Sequence, residues 1–179
     1  VITGTARGRR LREPEGMASR PTTDNVKESM FNLIQFDIEG RRVLDLFAGT
    51  GQLGIEALSR GAASAVFIDR RADAVRLVKD NLELCGLSDR ASVRCGDAMS
   101  YLRSGEKFDL IFLDPPYGTG MLEKAMEIIT EIDIVSENGI IVCENGSSAD
   151  WPAVKAPYRL QKDYRYGKIR TALYRRETE

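Results

Sequence analysis

The sequence predicts an α/β fold in which a mostly parallel β-sheet carries helices on both faces. From Arg42 onward, short apolar runs alternate with segments at helical spacing, which is typical of successive β-α-β units. The length of 179 residues and the hydrophobic content of 42% suffice for one domain with a sizeable core. Two alternating runs near the C-terminus predict an antiparallel hairpin, and a basic segment at the N-terminus predicts a small hairpin extension.

Each predicted element has a defined place in the chain. The strands are predicted at residues 43–46, 65–68, 91–95, 110–113 and 139–143, and the C-terminal hairpin at residues 158–166 and 169–174. Helices are predicted to begin near Asp24, to cover residues 53–59 and 122–129, and to bury a stripe formed by Val75, Val78, Leu82 and Cys85. Residues 1–20 are therefore assigned to the basic hairpin and a linker, and residues 21–179 to the main domain.

The composition excludes several classes of chemistry. The chain has no histidine, so Ser-His and Cys-His nucleophiles and the commonest metal ligand are absent, and no metal is expected. Cys85, Cys95 and Cys143 lie far apart in apolar segments and are predicted to be buried thiols. No apolar run reaches membrane-spanning length and no leader-like segment opens the chain, so we expect a cytoplasmic protein.

The net charge of −1 hides an uneven distribution of charge. The N-terminal end has four arginines and no acid, namely Arg7, Arg9, Arg10 and Arg12. Residues 159–176 contain seven bases and one acid, Asp163. Two basic ends around a neutral to acidic middle together favour a polyanion-binding face, whereas each run alone is typical of a solvated surface.

A glycine-rich loop follows the first predicted strand. Residues 49–54 match the G-x-G-x-x-G pattern, whose glycines let the backbone turn sharply and approach a ligand at a helix N-terminus. The pattern also fits a dinucleotide, and that alternative stays open. Asp45 lies just before the loop, where a carboxylate would repel a pyrophosphate but could pair with an ammonium group. The methionine end of S-adenosylmethionine carries both an ammonium and a carboxylate group.

Acidic residues follow three successive predicted strands. Asp45, Asp69 and Asp97 are therefore expected at one edge of the sheet, where ligands bind to parallel strands. Asp69 could accept hydrogen bonds from the ribose of S-adenosylmethionine or of NAD, and Asp97 could accept one from an adenine amino group. Each aspartate could instead cap the next helix. Tyr164 and Lys168 match a Tyr-x-x-x-Lys pair of nicotinamide enzymes, but a strand is predicted there, which would hold them too far apart.

The tetrapeptide Asp114-Pro115-Pro116-Tyr117 closes the fourth predicted strand. Proline fixes φ and has no N–H, so the turn is stiff and its carbonyl groups stay available as acceptors. A carboxylate beside such carbonyls can hold a planar NH2 group while the tyrosine ring covers its face. This arrangement suits methyl transfer to an exocyclic or amide nitrogen. The alternative is a tight turn that only closes the strand.

These motifs together resemble a known family. Residues 45–51 combined with residues 114–117 are similar to the class I, S-adenosylmethionine-dependent amino-methyltransferases, whose fold is Rossmann-like. Further segments narrow the resemblance to the bacterial RsmD family, which methylates a guanine N2 of small-subunit ribosomal RNA: residues 8–11, 14–16, 20–22, 26–28, 53–62 and 166–167. The resemblance covers nearly the whole chain.

The resemblance implies a role for each matched residue. Binding of S-adenosylmethionine is implied for Arg20, Pro21, Thr22, Asp45, Phe47, Ala48, Gly49, Thr50, Gly51, Asp69, Arg70, Asp97 and Ala98. Catalysis is implied for Asp114, Pro115, Pro116 and Tyr117, and RNA binding for Arg7, Arg9, Arg10 and Arg12. The implied product is S-adenosylhomocysteine. The implied partner is ribosomal RNA, free or within a small-subunit assembly particle, and we expect a monomer that uses no metal and no membrane.

Two other functions stay open at this point. The tetrapeptide also occurs in adenine-N6 methyltransferases, because it selects the type of nitrogen and not the base. Protein glutamine methyltransferases differ, since they usually have Asn at the position of Asp114. A non-catalytic RNA-binding module on the same scaffold is the alternative of another class, and the intact loop and tetrapeptide argue against it.

Overall fold

A mostly parallel sheet with helices on both faces forms the centre of the protein. The computed structural model describes residues 1–14, 24–146 and 150–178. The strands in these ranges are β1 (Arg42–Asp45), β2 (Ser64–Asp69), β3 (Ala91–Cys95), β4 (Phe108–Leu113), β5 (Val135–Gly146), β6 (Tyr158–Tyr166) and β7 (Ile169–Arg176). The helices are α1 (Asp24–Leu33), α2 (Gln52–Ser59), α3 (Ala72–Leu84), α4 (Ala98–Leu102) and α5 (Met121–Ile132), with a 3₁₀ turn at Ser88–Arg90.

The strand order places a topological switch point beside β1. The described strands form one seven-stranded sheet in the order β3-β2-β1-β4-β5-β7-β6. Strands β1 to β5 pair in parallel, whereas β7 pairs antiparallel with both β5 and β6. The chain leaves β1 toward β2 and β3 and later returns to the other side of β1 as β4. Crevices at such points, beyond the carboxyl ends of the strands, are where ligands bind in open α/β sheets.

Alternating side chains of the sheet supply two cores, one on each face. On β4, Leu110 and Phe112 pack against the face covered by α1, α2 and α3, while Ile111 and Leu113 pack against α4 and α5. Strands β1, β2 and β4 are buried on both faces, which explains why they read as short continuous apolar runs and not as alternating ones. The predicted α/β class and the antiparallel C-terminal hairpin are confirmed.

The N-terminal segment, residues 1–14, turns back on itself but does not form the predicted hairpin. It contains turns and no strand, and the Gly8 N–H donates to the Val1 carbonyl at 2.9 Å. Several of its other backbone groups pair with α2, and those of Arg12 pair with Asn81 of α3. The Ile2 and Thr3 N–H groups donate to the Glu56 carboxylate at 2.8 and 3.0 Å. The Thr5 N–H donates to the Ser59 carbonyl at 2.9 Å.

Several boundaries and one burial prediction differ from the structure. Helix α4, whose bounds the sequence does not mark, has only five residues and is capped by Asp97. Of the three thiols predicted to be buried, Cys143 is buried, Cys85 is half-buried and Cys95 is exposed. Cys95 ends β3, which lies at one edge of the sheet, so fewer neighbouring residues cover it.

No helix within the described ranges is both long and apolar enough to cross a membrane.

Candidate active site

A cavity of about 1220 Å³ lies at the switch point, at the carboxyl ends of the parallel strands. Asp45 and Asp69 contribute from the ends of β1 and β2, and Asp114 from the end of β4. The glycine loop contributes Phe47, Ala48, Gly49 and Thr50, and the N-terminal segment covers another side with residues 8–14. The two motifs from distant parts of the sequence therefore face one cavity.

Asp45 is a buried carboxyl group at the floor of this cavity. Its side chain is 2% exposed, and its Oδ2 accepts a hydrogen bond from the Gly54 N–H at 3.0 Å. Burial raises the pKa of Asp45 to about 7; the Gly54 hydrogen bond lowers it in part, and repulsion by Asp69 raises it further. A buried carboxylate next to a cavity gains most from a cationic ligand group, because that group replaces the lost hydration.

The glycine loop forms a sharp turn between β1 and α2. Gly51 has φ of 82°, in the left-handed region that favours glycine, and it is the N-cap of α2. Its N–H donates to the Ala48 carbonyl at 2.7 Å, and the Ala48 N–H donates to the Ile68 carbonyl at 3.0 Å. The loop is thus fixed to the end of β2. Gly51 itself is buried behind the cavity wall, which Gly49 and Thr50 form.

Asp69 joins the end of β2 to the glycine loop. Its Oδ2 accepts from the Gly49 N–H at 3.0 Å, and its Oδ1 accepts from the Arg71 N–H at 3.0 Å. The Arg71 guanidinium forms a bidentate pair with Asp73, and both side chains line the cavity. The predicted Arg70 is exposed and is not among the lining residues, whereas its neighbour Arg71 is.

Asp97 caps α4. Its Oδ2 accepts from the Ser100 N–H at 2.9 Å and from the Ser100 hydroxyl at 3.1 Å, and these hydrogen bonds lower its pKa. Asp97 and Ala98 follow β3 at the expected edge, but neither lines the cavity. The capping alternative is therefore realised for Asp97, and its contact with adenine stays a prediction.

The tetrapeptide forms a fixed turn beyond β4. Asp114 is half-buried and lines the cavity, and Pro115 is buried. The Thr119 hydroxyl donates to the Pro116 carbonyl at 2.8 Å. The Tyr117 hydroxyl donates to Glu144 at 3.1 Å, and Glu144 is 1% exposed on β5. The Tyr117 ring lies above Gly146, where a Cβ atom would meet it at 3.7 Å. The ring is thus held against the end of β5.

The basic residues at the two ends of the chain have different surroundings. Arg9, Arg10 and Arg12 are exposed and line the cavity, while Arg7 is exposed but does not line it. In the C-terminal hairpin four of the seven bases form ion pairs with acids: Arg159 with Glu177, Arg170 with Asp163, Arg175 with Asp37 and Arg176 with Asp133. Much of the C-terminal charge is therefore neutralised within the fold.

Helix α3 supplies site residues that the sequence did not indicate. Asp73, Ala74, Leu77 and Asp80 line the cavity from one face of this helix. Their spacing of one, four and seven positions is helical, so this second stripe beside the apolar one was the signal available.

Three predicted cofactor residues, Arg20, Pro21 and Thr22, lie outside the described residues.

The chain was compared with known proteins and families. The family described as conserved hypothetical protein 95 matches residues 1–175. The YlbH protein of Bacillus subtilis is 41% identical over 180 residues, which cover 98% of this chain and 98% of the relative. Ribosomal RNA small subunit methyltransferase D of Escherichia coli K12 is 35% identical, with 100% of this chain and 90% of the relative covered.

A solved structure has the same fold over the whole chain. The yhhF protein of Escherichia coli superimposes with a TM-score of 0.89 at 34% sequence identity. The match covers 100% of this chain and 98% of that protein. The similarity therefore includes the N-terminal segment as well as the sheet.

Proposed function

Because the chain belongs to the conserved hypothetical protein 95 family, we propose that it is an S-adenosylmethionine-dependent methyltransferase that modifies a guanine N2 of small-subunit ribosomal RNA. The names of two similar proteins, from Escherichia coli and Haemophilus influenzae, support the RNA substrate. One observation carries the proposal for this chain: the glycine loop and Asp114 face a single cavity at the switch point.

The residues of the cavity fit the proposed methyl donor. Asp45 is a buried carboxyl whose pKa is raised by burial, and the ammonium group of the donor would stabilise its ionised form. Gly49 and Thr50 would bring the backbone close to the methionine end, and Asp69 would accept from the ribose hydroxyls. When bound, the donor supplies an electrophilic methyl group on a positively charged sulfur.

The tetrapeptide residues would activate the target nitrogen. The lone pair of a guanine amino group is delocalised into the ring, so this nitrogen is a weak nucleophile. The Asp114 carboxylate and the Pro115 carbonyl would each accept one hydrogen of the NH2 group, which favours a pyramidal nitrogen and directs its lone pair toward the methyl group. After transfer the nitrogen is cationic and would lose a proton to the Asp114 carboxylate or to water, so the step needs no metal.

RNA binding would present the guanine to this cavity. The target base must leave its stack, at a cost of about a few kcal/mol, and the Tyr117 ring would then stack on it. Phosphate contacts would come from Arg9, Arg10 and Arg12 at the cavity and from Arg7 beside it. We propose further that the protein acts as a cytoplasmic monomer, on free RNA or on an assembly particle.

Labelled methyl transfer tests the proposal directly. Tritiated S-adenosylmethionine is incubated with protein-free small-subunit ribosomal RNA, with small-subunit particles and with DNA, and the labelled nucleoside is then identified. We expect N2-methylguanosine from RNA or particles. Label in N6-methyladenine would support the adenine alternative, and no label in any nucleic acid would favour the non-catalytic module.

Asp114→Ala is the matching variant. It should lower turnover by about 100-fold or more, because one oriented acceptor is lost, while S-adenosylhomocysteine affinity stays close to that of the native protein. Asp89→Ala, at an exposed carboxyl in the 3₁₀ turn, is the control for a lost acid. Full turnover in Asp114→Ala would rule out the proposed role of this residue.

A further inference from the structure

Asn81 is a buried polar residue that no motif of the sequence includes. It lies on α3 and its side chain is 0% exposed. The Arg12 N–H donates to Asn81 Oδ1 at 2.7 Å. The Asn81 amide nitrogen donates to the Arg12 carbonyl at 3.1 Å and to the Thr50 carbonyl at 2.9 Å. The oxygen and both amide hydrogens are therefore used, so the side chain is held in one orientation.

These three hydrogen bonds join two walls of the cavity. Arg12 belongs to the N-terminal segment, and Thr50 belongs to the glycine loop immediately before Gly51. Both residues line the cavity, as do Arg9 and Arg10. One buried amide thus connects the segment proposed to contact phosphates with the loop proposed to hold the methyl donor.

We propose that Asn81 is a positioning residue through which RNA binding and donor binding strengthen each other. This inference rests on the proposed function. A bound RNA that holds Arg9, Arg10 and Arg12 in place also holds the Arg12 backbone, and Asn81 transmits that restraint to the carbonyl of Thr50. A bound donor orders the loop and, through the same side chain, the segment. The two effects on affinity must be equal, because coupling of two binding sites is reciprocal.

The coupling is measured by calorimetry with S-adenosylhomocysteine and a fragment of protein-free small-subunit ribosomal RNA. In the native protein, saturating RNA should tighten S-adenosylhomocysteine by about 5-fold or more, and S-adenosylhomocysteine should tighten RNA by the same factor. Asn81→Asp keeps the size of the side chain but cannot donate to the two carbonyls. It should weaken S-adenosylhomocysteine alone by about 3- to 10-fold, as expected for a lost hydrogen bond, and reduce the coupling toward 1-fold.

Asn32→Asp provides the matched control. Asn32 is an exposed residue of α1, so this variant makes the same change of charge without touching the link. It should retain the coupling of the native protein. If Asn81 is merely structural, Asn81→Asp should lower the melting temperature but leave unchanged the ratio of S-adenosylhomocysteine affinity with RNA to that without RNA. That result would overturn the inference.

A second pair of variants avoids the protein core. Arg12 is exposed, and Arg12→Ala and Arg12→Pro remove the same charge, but only proline also removes the N–H that donates to Asn81. Arg12→Pro should show less coupling than Arg12→Ala; equal coupling in the two would overturn the inference. Native protein that methylates RNA without any coupling would refute this inference alone, whereas absence of RNA binding and methylation would refute the proposed function.

Discussion

At the scale of single residues, the site contains side chains whose placement costs stability. Asp45 loses its hydration at 2% exposure, and the hydrogen bond from the Gly54 N–H replaces only part of it. Asp45 and Asp114, both candidate site residues from the sequence, line the cavity, because a residue at the end of a parallel strand reaches the ligand edge by local geometry alone. The sequence could not reveal Asn81, since its two partner residues, Arg12 and Thr50, lie 69 and 31 positions away and meet it only in the folded chain.

We predict that affinity for S-adenosylhomocysteine rises with pH through the titration of Asp45. In the protein without ligand, Asp45 has a pKa of about 7. Pairing with the ammonium group of the ligand would lower this pKa, because the ligand binds the ionised carboxylate. Between about pH 6 and about pH 8 the affinity should rise roughly tenfold. Calorimetry across this range checks it, and Asp45→Asn should bind weakly with no such rise. A flat native profile would contradict the pairing.

The same variant should be more stable than the native protein when no ligand is present. The pKa of Asp45 in the folded protein is raised from its ordinary value of 3.8 to about 7. The stability contributed by the protonated carboxyl is therefore fully present below pH 3.8, and it is lost as the pH rises through about 7. At about pH 8, Asp45→Asn should therefore unfold at a higher temperature than the native protein, and the difference should vanish near pH 4. Thermal unfolding at the two pH values measures this.

The Tyr117 hydroxyl is predicted to matter for both stability and turnover. Tyr117→Phe removes a donor to the buried Glu144 and should cost about 1–3 kcal/mol of unfolding free energy. In Tyr117→Phe/Glu144→Gln the charge is gone as well, so the double variant should lose less than the sum of the single variants. Urea unfolding and turnover are measured for all four proteins. Strict additivity would show that the two side chains do not interact.

At the scale of elements, the sheet and its helices follow from local sequence, whereas the N-terminal segment does not. Strands β1 to β4 lie within two residues of their predicted positions because apolar runs and glycine turns mark them locally. Residues 1–14 form hydrogen bonds with Glu56 and Ser59 of α2 and with Asn81 of α3, all more than 50 positions away. Gly4 fits there only because it lacks a side chain, as a Cβ would lie 1.8 Å from the Ser59 carbonyl oxygen.

Glu56 is predicted to dock the N-terminal segment on α2. The carboxylate is 0% exposed, and Lys27 and Arg60 pair with it at 3.2 and 2.9 Å. Burial raises its pKa, but the Ile2, Arg60 and Lys27 interactions outweigh this and the pKa is lowered overall. The stability from its ionised form is therefore present above its ordinary value of 4.5 and is lost as the pH falls through the lowered pKa.

Glu56→Ala should cost about 3–5 kcal/mol, because it leaves Lys27 buried without its partner. Hydrogen exchange should accelerate first at the amides of Ile2 and Thr3, which donate to this carboxylate. Glu83→Ala, at an exposed position of α3, controls for the lost charge. Unchanged exchange at Ile2 and Thr3 would mean that the segment is held by other contacts.

At the scale of the whole molecule, charge is distributed so that one end of the chain faces the site. Arg9, Arg10 and Arg12 lie at the cavity beyond β1 and β4, whereas β5 and β7 separate β4 from the hairpin strand β6. Composition alone does not distinguish the two basic ends of the chain. It could not show that acids from other elements, such as Asp37 and Asp133, neutralise bases of the hairpin, because those pairings depend on the tertiary fold.

This asymmetry predicts that the N-terminal end contributes most of the salt dependence of RNA affinity. Arg9→Ala/Arg10→Ala should lower the slope of log K against log salt by about 1.5–2, since each phosphate contact releases nearly one counterion. Lys162→Ala/Lys168→Ala removes the same charge from exposed positions of the hairpin and should change the slope by less than about 0.5. Filter binding to small-subunit ribosomal RNA over a range of salt concentrations measures both. Equal flattening by the two double variants would place RNA on both ends of the molecule and reject the one-sided binding face.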